Sequence, residues 1–234
     1  MVEAADRWGL RDLTPVAGGR GGGLWSASSV GGPRVVKAPF PPNAPSVAAQ
    51  EALAAAGGGV AVLESTDRLV LLPKLDARPL GATPSAHDRK AAARLLAGLR
   101  PVSAPQLPEL AGWLRARLEQ LPRDVSRHSR PPSGPQRRRV LRLLDELGGG
   151  PARFCHGDAN SGNVLVGAAG GCVLVDARGV CGDVHFDLAT LAVKTNRTAP
   201  APVQDRDAAK LARTVGLDGQ RAAAWAQVVR AARV

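Results

Sequence analysis

The sequence predicts an α+β protein, and three observations carry that reading. Two runs rich in β-branched and aliphatic residues, RVVKA at 34–38 and RLVLLPKL at 68–75, read as strands on either side of one helical stretch. From residue 85 onward, leucines recur every three or four positions, the spacing of amphipathic helices. Within that helical part lies a polar loop, His156-Gly157-Asp158-Ala159-Asn160-Ser161-Gly162-Asn163, and thirteen residues after Asn163, across two short apolar runs, comes a lone Asp176.

Taken in order, GGRGGGLWS at 18–26 is a glycine-rich turn or hairpin, and 34–38 is a strand carrying Lys37. NAPSVAAQEALAAAGGG at 43–59 suits a helix, with Asn43 or Ser46 as its cap, Gly57 as its stop and Glu51 at its middle. The 68–75 strand is apolar enough to be buried, and Pro73 within it has no N–H to donate. Ser85 and Asp88 form an S-x-x-D capping box ahead of RKAAARLLAGL. Leu107, Leu110, Leu114, Leu118 and Leu121 mark a helix around Trp113, and Leu141, Leu144 and Leu147 mark another before Gly148. Between them, RDVSRHSRPPSGPQRRR at 123–139 reads as an exposed linker because of Pro131, Pro132 and Pro135. GDVHFDLATL at 182–191 places Asp183 at a helix N-terminus with Asp187 one turn on, and a last helix follows at GLDGQRAAAWAQVVRAA.

The spacing H-x-D-x-x-x-x-N, followed by a lone Asp after a strand, turn and strand, is that of a kinase catalytic loop and its metal-binding Asp. Phosphoryl transfer from ATP is mostly positioning and charge neutralisation, so it needs these residue types. Asp158 is the candidate base that takes the hydrogen bond of the attacking hydroxyl. Asn163 and Asp176 offer the hard oxygens that Mg²⁺ prefers. Gly157 and Gly162 let the loop turn tightly. Lys37 is the candidate partner of the α- and β-phosphates, and Glu51 is placed to ion-pair with it. Backbone at Leu72, Lys74 and Leu75, where the strand leaves for the second half of the chain, is the expected adenine edge.

FCHGDANSGNVLV, VLVDARGVCGDVHFDLATL, the downstream Asn196 and the final helix together resemble the aminoglycoside phosphotransferases and hydroxyurea-resistance kinases, closest to the streptomycin 6-phosphotransferase branch. The resemblance is specific over about 152–232. It implies a bilobal protein-kinase-like fold, with a small β-rich N-terminal lobe at 1–75 and a larger, mainly helical C-terminal lobe at 76–234. It also implies ATP and Mg²⁺ as co-substrate and cofactor, and O-phosphorylation of a small hydroxylated acceptor of the aminoglycoside type. Carried over by motif, Asp158 matches the catalytic Asp and Asn163 and Asp176 the metal ligands. His156 and Asp187 match positions that brace the loop. A non-catalytic kinase-like protein that binds nucleotide or polyanion stands as the alternative, although such a protein has no chemical need for all of Lys37, Asp158, Asn163 and Asp176.

Composition agrees. At 234 residues the chain can bury a sizeable core, and 44% hydrophobic with 22% charged residues is ordinary for a globular protein. No run of about eighteen apolar residues exists, so no membrane span is expected. Three cysteines without a C-x-x-C favour free thiols in a reducing cytoplasm. The net charge of +11 would suit a polyanion, but its densest cluster lacks interleaved aromatics for base stacking, which argues against nucleic acid as partner.

Overall fold

A computed structural model describes residues 2–16, 22–39, 45–66, 68–120, 132–149 and 153–232. It opens with helix α1 (Val2–Arg7), followed by strands β1 (Arg11–Pro15), β2 (Gly22–Ser28) and β3 (Arg34–Pro39). Helix α2 (Pro45–Ala55) comes next, then β4 (Glu64–Ser65) and β5 (Val70–Pro73). These five strands form one antiparallel sheet in the order β1-β2-β3-β5-β4. Its inner face, through Ala27, Val36 and Leu71, packs with Ala4, Trp8 and Leu10 into a small hydrophobic cluster.

Strand β6 (Ala77–Pro79) leaves that sheet and instead pairs with β8 (Val164–Gly167), which pairs with β9 (Cys172–Leu174). A second ladder joins β7 (Arg153–Cys155) to β10 (Val180–Gly182). Around these short strands stand α3 (Ala86–Ala97), α4 (Leu110–Gln120), α5 (Gly134–Leu147), α6 (His185–Thr195), α7 (Ala201–Thr214) and α8 (Gly219–Ala232). The architecture is thus α+β and bilobal, a small β-rich part and a larger helical one. The helical part holds the main core, where Phe186 sits edge-on to Trp113 and to Trp225, with ring centroids 6.3 and 5.7 Å apart. Such aromatic geometry adds to the large apolar area these side chains bury.

The leucine periodicity finds its helices, although Leu107 lies ahead of α4 rather than on it. Leu110, Leu114 and Leu118 are buried on α4, and Leu144 and Leu147 on α5. Gly57 ends α2 in the left-handed region at φ +85°, and the Gly58 N–H turns back to the Leu53 carbonyl at 3.1 Å. Asn43, the side chain of Ser46, Leu121, Pro131, residues 18–21 of the glycine-rich turn and 123–131 of the basic stretch lie outside the described residues.

Two expectations need correction. Pro135 belongs to no linker: it stands in the first turn of α5, where a missing N–H costs nothing, and Ser133 and Gln136 close a reciprocal capping box around it. At α3 only half of the expected box forms. Ser85 Oγ accepts from the Asp88 N–H at 3.0 Å, but the Asp88 carboxylate goes to Arg78 at 2.8 Å, a stronger charged partner than a backbone N–H. On α2, Ala49, Ala52, Leu53 and Ala56 join the main core together with Leu96, Leu99 and Leu174.

Candidate active site

The 156–163 loop is held from beneath. His156 is fully buried. Its Nε2 donates to the Val175 carbonyl at 2.9 Å, which leaves Nδ1 as the acceptor for the Asp158 N–H at 3.2 Å. Burial lowers its pKa, so the neutral ring with this tautomer is the resting form. Asp187, on the first turn of α6 and 1% exposed, accepts the backbone N–H groups of His156 at 2.6 Å and Gly157 at 3.0 Å. Burial pushes the Asp187 carboxyl up to about 7, against the pull of those two donors, and the charge of Asp158 adds to the push. Gly157 takes φ +83°, a conformation that a side chain there would strain, and a Cβ would stand 3.0 Å from Arg178 Cβ. Gly162 keeps φ in the ordinary range, so tight turning does not require glycine at that position.

Asp158 is largely buried, with 19% of its side chain exposed. Its backbone carbonyl accepts from Asn163 Nδ2 at 2.9 Å, so the Asn163 amide is pinned with its Oδ1 turned the other way. The Val175 N–H donates to the Asn163 carbonyl at 2.9 Å, which sets Asp176 beside the same turn. Asp176 itself has φ +60°, uncommon for a residue with a side chain and a form of backbone strain that gathers at functional sites. Its carboxylate, half exposed, forms an ion pair with Lys37 of β3. That contact ties the five-stranded sheet to the hairpin. Lys37, Asp158, Asn163 and Asp176 therefore converge in one place.

Glu51 does not join them. Lys37 gives its ammonium to Asp176, and Glu51 is exposed on α2 with no ion pair to Lys37. The helix spends its inward positions on Ala49, Gln50, Ala52 and Leu53, so position 51 falls on the solvent side, and buried Gln50 donates to the Val60 carbonyl at 3.1 Å. At the expected adenine edge, buried Leu72 lies opposite Val35 in the β3–β5 ladder, and half-buried Leu75 follows in the connection to β6. The Lys74 N–H is not free for a base, because it donates to the Pro33 carbonyl at 3.1 Å.

Three side chains that motif reading passed over surround Asp158. Asn160 Nδ2 reaches Oδ1 at 3.2 Å and Lys194 Nζ reaches the same oxygen at 3.3 Å, while Arg178 Nε stands 3.5 Å from Oδ2. Burial works against the ionised carboxylate, but Lys194, Asn160 and Arg178 outweigh it and hold the pKa below the usual value. Asn160 also closes the turn, its Oδ1 accepting from Gly162 and Asn163. The sequence signal for Lys194 is its place seven residues after Asp187, on the same helical face.

The fold, the loop and the hairpin are those expected of a phosphotransferase. The model of the family described as phosphotransferase enzyme family (APH) matches residues 28–226, and the chain belongs to that family. No curated protein matches it in sequence. Among solved structures, choline kinase LicA from Streptococcus pneumoniae is similar at a TM-score of 0.66 with 16% identity, over 93% of this chain and 79% of that one. A thermostable mutant of aminoglycoside phosphotransferase APH(4)-Ia gives 0.65 with 13% identity, over 96% and 87%. Spectinomycin phosphotransferase APH(9)-Ia, solved with ADP and spectinomycin, gives 0.59 with 15% identity, over 92% and 78%. At these identities the likeness is one of fold.

Proposed function

We propose that this protein transfers the γ-phosphoryl group of ATP to a hydroxyl of a small molecule in a Mg²⁺-dependent reaction, with an aminoglycoside-type antibiotic such as streptomycin as the acceptor. The observation that carries the reading is the placement of Asp158 and Asn163 on one turn with Asp176 beside it and Lys37 brought in from the sheet. Solved neighbours that carry ADP with spectinomycin, or are named as choline kinase, support a nucleotide and a small acceptor.

In this reading Asp158 takes the hydrogen bond of the acceptor hydroxyl and removes its proton as the new P–O bond forms, a role worth roughly 10²–10⁴ in rate. The oxygen donors Asn163 Oδ1 and the Asp176 carboxylate fit a hard divalent ion and would hold Mg²⁺, which supplies charge neutralisation at the phosphates. Lys37 turns from Asp176 to the α- and β-phosphates. Main chain around Leu72 and Leu75 borders the adenine, and the lobes divide near residue 75, where the chain passes from β5 to β6. His156 and Asp187 carry the loop rather than react. A cytoplasmic location suits the free thiols of Cys155, Cys172 and Cys181.

The test incubates the protein with ATP, Mg²⁺ and a panel of cationic, neutral and anionic hydroxyl compounds that includes streptomycin, with products read by mass spectrometry. One acceptor is expected to gain a single phosphoryl group, and Asp158→Ala is expected to slow that transfer by about 10²–10⁴-fold. No transfer to any acceptor, with basal ATP hydrolysis unchanged in Asp158→Ala, refutes the reading and favours a non-catalytic binding protein.

A further inference from the structure

The helix α6 meets the 156–163 loop at two points. On its first turn, Asp187 accepts the N–H groups of His156 and Gly157 and so fixes the loop backbone. Lys194 lies seven residues later, about two turns or 10.5 Å along the axis, on the same face of the helix. Its ammonium reaches Asp158 Oδ1 at 3.3 Å, and only 16% of the side chain is exposed. One rigid element thus grips both the backbone that carries Asp158 and the side chain of Asp158 itself.

The two oxygens of Asp158 are treated differently. Oδ1 faces Asn160 and Lys194, at 3.2 and 3.3 Å. Oδ2 is approached by Arg178 alone among the described residues, at 3.5 Å, beyond a good hydrogen bond, from a side chain 49% exposed. The carboxylate is therefore anchored through Oδ1 and presents Oδ2. Asn160 belongs to the same turn as Asp158 and moves with it, so it cannot fix the carboxylate relative to the rest of the molecule. Lys194 can, because the end of α6 is itself clamped. Asn196, the C-terminal cap, donates through Nδ2 to Asp207 of α7 at 2.6 Å, and the Gln204 amide donates to the Asn196 carbonyl at 2.8 Å. Asp207 is in turn ion-paired with Arg89 of α3.

We propose that Lys194 is a positioning residue: together with Asp187 it makes α6 a two-point brace that turns Asp158 Oδ1 back onto the protein and aims Oδ2 at the acceptor hydroxyl. The kinetic part of this proposal rests on the phosphotransfer reading above, whereas the structural part does not. Misplacing a reacting group by about 1 Å costs on the order of 10²-fold in rate, and that is the scale expected here.

The experiment compares the wild-type protein with Lys194→Met and Lys194→Arg. Crystal structures of all three are expected to show Asp158 rotated away from its wild-type orientation in Lys194→Met and restored in Lys194→Arg. With the acceptor found by the panel, Lys194→Met is expected to lose about 10²-fold in kcat while KM for ATP stays within about twofold, and Lys194→Arg to regain most of the loss. An unchanged Asp158 orientation in Lys194→Met overturns the proposal whatever the activity does. So does a loss of kcat with the orientation kept, which would mean that Lys194 acts on the reacting groups directly. If the wild type transfers phosphate to nothing, the functional reading fails, and the rotation of Asp158 still decides the brace.

Discussion

Replacing Asp187 by Ala tests how the candidate loop is held. The carboxylate is buried, and its two oxygens are the acceptors of the His156 and Gly157 N–H groups, which lie thirty-one and thirty residues away in sequence. Removing it leaves two donors inside the protein without acceptors, each at roughly 1–3 kcal/mol, so the expected loss is about 2–6 kcal/mol. Burial of the carboxyl, which pushes its pKa up to about 7, is relieved at the same time and favours the lower half of that range. Even that half is a large share of the roughly 5–15 kcal/mol that keeps a domain folded. Asp187→Asn keeps one carbonyl oxygen and is expected to cost less than Asp187→Ala. The assay is urea unfolding, read as a lower midpoint at constant slope. The pH dependence follows from the raised pKa. A buried acid with pKa above its unfolded value binds its proton more tightly when folded, so stability from this group falls as pH rises from about 4 to about 7. The gap between the wild type and Asp187→Asn should therefore narrow from about pH 4 to about pH 7. A loss below about 1 kcal/mol in Asp187→Ala, or a gap that widens with pH, refutes the reasoning.

Asp183 supplies the opposite sign. Its oxygens accept from His185 Nδ1 at 2.6 Å, the His185 N–H at 3.0 Å, Arg221 Nε at 2.5 Å and Trp225 Nε1 at 2.7 Å, so despite burial its carboxyl is held well below the usual range. Asp183→Asn should cost about 3–5 kcal/mol near neutral pH, the scale for breaking a buried ion pair. That gap should close as pH falls below about 4, and thermal melts that show it constant from pH 7 to about pH 3 would count against the network. Gly179→Ala should destabilise by about 1–3 kcal/mol, because its φ is +69° and an added Cβ would stand 2.8 Å from Ala49 Cβ of α2. Ala49→Gly in the same chain should recover part of the loss, and strict additivity in the double-mutant cycle would show that the two do not touch.

The arrangement of the candidate site was largely legible because it is local. Asp158, Asn163 and Asp176 lie on one loop and hairpin, so their spacing in the chain is also their spacing around the turn. His156 and Asp187 were expected as braces, and the structure shows which atoms they hold. Glu51 and Lys74 came out differently for reasons that spacing does not encode. Glu51 depends on the rotation of α2 against the main core, and the Lys74 N–H depends on where Pro33 arrives from another strand. Pro135 misled as a linker residue, since proline is as much at home in a first helical turn as in an extended segment.

By itself the amino-acid order determined the class of elements, the positions of most helices and the composition of the candidate catalytic loop, since helical period, turn residues and motif spacing act over a few residues. Tertiary structure alone decided which charge meets which. Lys37 pairs with Asp176 across 139 positions, and Lys194 reaches Asp158 across 36, because packing α6 and the sheet against one hairpin brings those side chains together. Periodicity says which face of a helix is buried; it does not say what stands opposite.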